Sequence, residues 1–284
     1  GIGDHTPHKY LIEKGKIINE NDLLERFSIE VLTKEFYQEL SNWYAESIKH
    51  VKFPGEQELE NEDKKLEHRS KNLIRLLTRL LFVWFLKQKD LIPNEFFEED
   101  YLKEQLLKEF NPNLKQGLFQ AKSLESKYYK AILQNLFFAT LNCPIIPQTK
   151  EDLRERGFRR NEKYGQDFGY DHLMRYEEFF KKPSLFLELV NKTVPFLNGG
   201  LFDCLDDKQN KKYIDGFSDN LPTPHLLIVP DFLFFGERKG QDLSTFYGDK
   251  KRKNVDVVGL IDLLKKYNFT VEENTPYDQD VSLD

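Results

Sequence analysis

The 284-residue sequence has two cysteines, one methionine and two tryptophans, and its longest apolar run, Leu80 to Leu86, is seven residues. A membrane-spanning helix needs about 20 apolar residues, so no segment reads as a span. Cys143 and Cys204 have no Cys or His partner at metal-ligand spacing, which argues against a zinc module or a disulfide scaffold. They read as two buried free thiols of a cytoplasmic protein. Residues Gly1 to Tyr10 have no apolar core, so no signal peptide is expected. An excess of positive charge is also missing: 42 Lys and Arg face 48 Asp and Glu, a net charge of −6. Autonomous DNA-binding modules are usually basic because they displace counterions from phosphates. Any nucleic-acid contact therefore needs a local basic patch or a neighbouring domain.

Several catalytic signatures are missing too. The Gly1-Ile2-Gly3 start follows no strand, and no phosphate-binding Gly-x-x-x-x-Gly-Lys or Gly-x-Ser-x-Gly elbow occurs. The histidines, at positions 5, 8, 50, 68, 172 and 225, are scattered, so no metal site is expected. Asn111-Pro112-Asn113 comes nearest to an adenine methyltransferase's Asn-Pro-Pro-aromatic tetrapeptide and fails at its third position.

Aromatic residues are abundant, with 24 Phe and 13 Tyr, as a packed core requires and a disordered chain lacks. Their spacing predicts a mainly α, multi-helix fold with small β elements and long loops in the second half. Leu32, Phe36, Leu40 and Trp43 share one face of a helix over Val31 to His50, with Ser28 or Thr33 as its cap. The charged stretch Glu56 to Lys71 reads as a solvated loop or exposed helical turn. Leu73 to Lys87 is the strongest helix; Leu80 to Leu86 is apolar all round, while Arg75 and Arg79 fall on a polar side. Further helices are expected over Glu98 to Phe110, Ser126 to Leu141, Asp171 to Phe180, Ser184 to Asn191 with Pro183 in the first turn, and Val257 to Tyr267. An Asn198-Gly199-Gly200 turn and a short strand at Phe269 to Val271 complete the pattern. The expected organisation is a tail or engineered scar over 1–20, a helical subdomain over 21–148, a basic, Gly-containing loop over 149–170, and a second mainly helical subdomain over 171–284.

Two stretches carry candidate chemistry. Pro230-Asp231 followed by Glu237-Arg238-Lys239 has the residue types of a metal-dependent nuclease, whose acids hold magnesium while the lysine orients water. Only the apolar run Phe232 to Gly236 separates the acids, and a chain reversal there would put bulky apolar residues in a turn. An apolar plug followed by solvated charges is the simpler reading. The second stretch is Lys250-Lys251-Arg252-Lys253, four consecutive cations beside Asp249. It is either a solvated loop or a DNA-backbone contact.

Six segments together carry a family resemblance. They are Thr33 to Tyr37, Arg75 to Leu80, Tyr129 to Phe138, Pro195-Phe196-Leu197-Asn198-Gly199-Gly200-Leu201-Phe202, Tyr247-Gly248-Asp249-Lys250-Lys251-Arg252-Lys253 and Tyr267 to Pro276. Over about residues 21 to 284 the chain resembles the central helical connector of type IIG restriction–modification enzymes and related large single-chain bacterial adenine-specific DNA methyltransferases. The resemblance implies a parent that joins nuclease, connector, methyltransferase and target-recognition domains, acts on double-stranded DNA, and uses S-adenosylmethionine and magnesium. It also implies that this segment stops shortly before the methyltransferase core, with no catalytic, cofactor-binding or metal-binding residue of its own. Two alternatives stand beside that expectation: an independent helical interaction scaffold and, more remotely, a degenerate metal-dependent nuclease.

Overall fold

Helix α1 (Glu20–Ser47) and helix α2 (Glu62–Gln88) are the longest elements of a computed structural model. It describes residues 20–116, 121–143, 146–147, 154–155, 174–197, 200–207, 209–217 and 221–267, with α1 side chains from residue 34 onward. The fold is mainly α, as the aromatic and leucine spacing predicts. α1 begins well before the expected Val31. Phe36 and Trp43 are buried on its inner face and Leu40 is half-buried, whereas the side chains of Ser28, Leu32 and Thr33 lie outside the described residues.

α2 also starts earlier than its apolar stripe. The Asn61 side chain accepts a hydrogen bond from Lys64 N at 2.9 Å, and Glu62 and Asp63 occupy the first turn. A side-chain cap, acidic residues at the positive end of the helix dipole and the pairs Lys64–Glu60 and Lys65–Glu62 sustain helix without apolar residues. Of the stretch expected as a solvated loop or exposed helical turn, residues 62–71 are thus part of a long helix and Glu56–Glu58 form a 3-10 turn. Leu80, Val83, Trp84 and Leu86 are buried, but Phe82 is 38 % exposed, so this part of α2 is not buried on all sides. Arg79 corrects the expectation outright: it is 3 % exposed and faces the core.

Helix α3 is shorter than expected. It comprises Glu99–Tyr101 with a π-type turn Leu102–Leu106, after which Leu107 pairs with Phe180 as an isolated bridge. The central helix α4 is wound in the wider π geometry over Tyr128–Leu133 and Asn135–Leu141. Tyr129, Ile132, Leu133, Leu136, Phe137 and Thr140 are buried, and so are Gln134 and Asn135. The Asn135 amide donates to Ala131 O and Arg175 O and accepts from Arg175 N, which satisfies a polar group that burial would otherwise penalise. Helix α5 (Pro183–Thr193) carries Pro183 in its first turn. The helix expected over Asp171 to Phe180 is, among the described residues, only the 3-10 turn Glu177–Phe179.

In the last third, α6 (Phe232–Phe235), α7 (Ser244–Tyr247) and α8 (Leu260–Lys266) are short. The helix expected from Val257 starts three residues later, because Val257 belongs to a strand. The strands form two-residue and three-residue antiparallel pairs: β1 (Lys115–Gln116) with β2 (Ala121–Lys122), β3 (Ile146–Pro147) with β4 (Arg154–Glu155), and β5 (Lys239–Gln241) with β6 (Val255–Val257). Apart from Arg154 and Glu155, residues 149–170 lie outside the described residues, as do Asn198, Gly199 and the segment Phe269 to Val271.

The core runs continuously from Phe36 on α1 to Leu264 on α8. Trp43 Nε1 donates to Leu233 O at 2.6 Å, and Lys52 and Ile228 exchange two backbone hydrogen bonds of 2.8 Å. α1 packs against β6 and α8, and α8 against α6. Gly259 allows that last contact, since a Cβ there would sit 2.4 Å from Phe234 O. Among the described residues no helix is long and apolar enough to cross a membrane.

Candidate nucleic-acid interface

The Lys250–Lys253 cluster sits on a braced loop that leaves the β5–β6 hairpin and returns to it. Asp242 Oδ1 accepts from Ser244 N at 2.9 Å and Ser244 Oγ at 2.6 Å, opening α7. Those bonds hold the Asp242 carboxyl below the usual carboxylate range. Gly248 reverses the chain at φ 65°. Asp249 Oδ1 then accepts from Lys251 N at 2.9 Å, starting the 3-10 turn Lys250–Arg252. Leu243 N donates to Arg252 O at 2.8 Å and closes the loop.

The four cations divide into two kinds. The Arg252 guanidinium lies 4.1 Å from the Tyr247 ring centre and donates to Asn42 Oδ1 at 3.4 Å, while Tyr247 Oη donates to the same oxygen at 2.9 Å. Arg252 therefore ties the loop to α1 and is half-buried. Lys250, Lys251 and Lys253 are exposed and, among the described residues, none lies in an ion pair.

Next to this loop, Glu46 is 5 % exposed and joins two lysines and a histidine. It accepts from Lys49 Nζ at 2.8 Å, His50 Nε2 at 2.9 Å and Lys122 Nζ at 3.1 Å. Burial raises its carboxyl pKa, but the hydrogen bonds from His50 and Lys49 and the charge of Lys122 outweigh burial and hold it at about 2. Glu46 lines a cavity of about 140 Å³ whose rim carries Lys115, Lys122, Glu237 and Lys239. Lys49 also donates to Asp242 O at 2.7 Å, so this cluster and the cation loop share a brace.

The nuclease-like pattern comes apart in three dimensions. Asp231 is 3 % exposed, and its Oδ1 accepts from Tyr128 N at 2.8 Å. Asp231 N donates to Glu125 O, and Val229 N donates to Ser126 Oγ. The carboxylate thus caps the start of α4 from a distant segment. Burial pushes its pKa up to about 7, against the lowering effect of the Tyr128 and Lys127 amides. Glu237 is exposed and pairs with Lys239 at 3.2 Å. The intervening run is neither a turn nor a strand but the buried helix α6. Among the described residues no three His, Cys, Asp or Glu side chains group to hold a metal ion, and Asp231 and Glu237 are each engaged by partners of their own. Among the described residues the strands form only short antiparallel pairs.

One buried polar centre escapes sequence reasoning. Arg79 donates to Asp215 Oδ1 at 2.8 Å, Leu201 O at 2.8 Å and Asp203 O at 2.9 Å. Asp215 Oδ2 accepts from Leu205 N, and the neighbouring Asp206 carboxylate accepts from the backbone N–H groups of Ile214, Asp215, Gly216 and Phe217. Both carboxylates are engaged by their own loop, and the centre is structural. Cys204 lies beside it, half-buried, with its thiol pKa raised by burial and the two acids. Cys143 is buried, and the two cysteines are not joined in a disulfide.

Over 197 residues, 68% of its length, the chain is 25% identical to a Methanocaldococcus jannaschii protein named "Putative type II restriction enzyme and methyltransferase". The chain is similar to a restriction–modification protein. It spans 12% of that relative's length. No family model matches the chain, and no solved structure matches it.

Proposed function

We propose that this chain is a non-catalytic helical connector of a DNA restriction–modification protein, and that its cation loop holds the DNA backbone beside the parent's catalytic domains. In this reading the parent carries an S-adenosylmethionine-dependent adenine methyltransferase, a target-recognition domain and a nuclease of the type IIG arrangement. The subdomains proposed over 21–148 and 171–284 space those domains apart.

The observation that carries the reading is the braced loop, with Lys250, Lys251 and Lys253 exposed and Arg252 folded back onto Tyr247 and Asn42. Phosphates present the same charge at every step, so a fixed row of lysines holds DNA without reading sequence. The similarity to a restriction–modification protein supports DNA as the partner. Three exposed lysines on an otherwise mildly acidic chain suit a supporting contact rather than an independent binder.

Calorimetry of the isolated chain with S-adenosylmethionine tests the non-catalytic part. No binding heat is expected, and micromolar affinity would contradict it. An independent scaffold, the alternative, needs no DNA and would leave DNA affinity unchanged when the lysines are removed.

A further inference from the structure

Phe246 is 45 % exposed, although two aromatic rings hold it in place. Its ring meets Tyr247 at 5.0 Å and Tyr44 at 6.1 Å, both edge-on, with interplanar angles of 79° and 70°. It projects from α7, whose buried side is anchored by Leu243 and by the Tyr247–Asn42 hydrogen bond. The exposed lysines begin four positions later, and the Asp249 N to Ser244 O hydrogen bond of 3.1 Å folds the two parts onto each other.

A single exposed phenylalanine is ordinary. What needs explaining is one fixed by neighbouring rings, with its remaining surface open, on the same braced turn as three exposed lysines. Apolar burial would favour turning that ring inward; the turn keeps it outward. Cations that hold phosphates beside an exposed aromatic ring are the ingredients of single-strand recognition, because every base has a face to stack on.

We infer that Ser244–Lys253 is one preorganised element in which Lys250, Lys251 and Lys253 hold phosphates while Phe246 stacks on an unpaired base. Arg252 is a positioning residue, acting through Tyr247 and Asn42. This inference rests on the backbone-contact reading above and adds the nucleic-acid state that the element prefers. Because the loop is already folded, little ordering entropy opposes binding.

The test compares the affinity of the full-length protein for a paired duplex and for the same duplex with a short single-stranded gap. Phe246→Ala should weaken gapped-DNA binding by about 5- to 150-fold, the range for one stacked base. Duplex affinity and the salt dependence should hardly change, and Phe246→Trp should restore gapped binding. Phe246→Ala binding both probes like wild type, or weakening both equally, would overturn the stacking role. A Lys250→Gln, Lys251→Gln, Lys253→Gln variant separates the two levels. If it keeps the wild-type salt slope, the backbone-contact reading itself fails; if its slope flattens while Phe246→Ala is silent, only the stacking role fails.

Discussion

Glu46 is an ionised carboxylate taken out of water, and it holds its charge because Lys49, His50 and Lys122 converge on it. Its folded pKa of about 2 lies below the ordinary 4.5. A depressed carboxylate contributes stability fully above its unfolded pKa and loses it as pH falls through the folded value. The loss therefore falls between about pH 5 and pH 2. Glu46→Gln should destabilise the protein at pH 7 by roughly 1–2 kcal/mol, a discounted figure because both partner lysines reach solvent. The gap from wild type should close as the acid limb is descended. Denaturant titrations at pH 7, 4 and 2.5 check this; a gap independent of pH would mean that the carboxylate is not charged in the fold. The sequence places Lys49 and His50 one turn beyond Glu46 but gives no sign of Lys122, which lies 76 positions away. Arg79 is illegible in the sequence for the same reason. Its partner Asp215 is 136 positions distant, and a helical wheel assigns an arginine to solvent unless a buried acid is known.

Elements whose faces are set by apolar spacing follow the sequence closely. The buried stripes of α2 and α4 and the Pro183 start of α5 follow from periodicity and from proline's fixed φ. Ends set by polar chemistry follow less well: the Asn61 cap carries α2 back to Glu62, and the Leu107–Phe180 bridge ends α3 after Leu106. α6 is hidden from pattern reading because four consecutive apolar residues carry no period at all. Trp84 shows how much the α2 stripe contributes. It is 1 % exposed, edge-on to Phe97 at 5.3 Å, with Lys87 Nζ 4.6 Å from its ring centre. Trp84→Ala should cost about 3–5 kcal/mol, as expected for truncating a large buried aromatic. A chemical-denaturation loss under about 1 kcal/mol would show that α2 does not carry the core.

At the scale of the whole molecule, one core links α1 to α8, and the polar cross-links Trp43–Leu233, Asp231–Tyr128 and Arg79–Asp215 join residues far apart in sequence. The cation run is visible in the sequence as four adjacent basic letters, but its division into three exposed lysines and one bracing arginine is not. That division depends on Tyr247 and Asn42 meeting across the fold. Whether the exposed lysines touch DNA decides between the proposed DNA-holding role and a cluster that is only solvated surface. The deciding measurement is the DNA affinity of the full-length protein as a function of salt, for wild type against a variant with Lys250, Lys251 and Lys253 all neutral. The variant should bind target and non-target DNA more weakly by the same factor, and its log–log salt slope should be shallower by ~0.9 for each phosphate that the loop no longer neutralises. Identical slopes for the two proteins would contradict a DNA-holding role and leave the cluster as solvated surface.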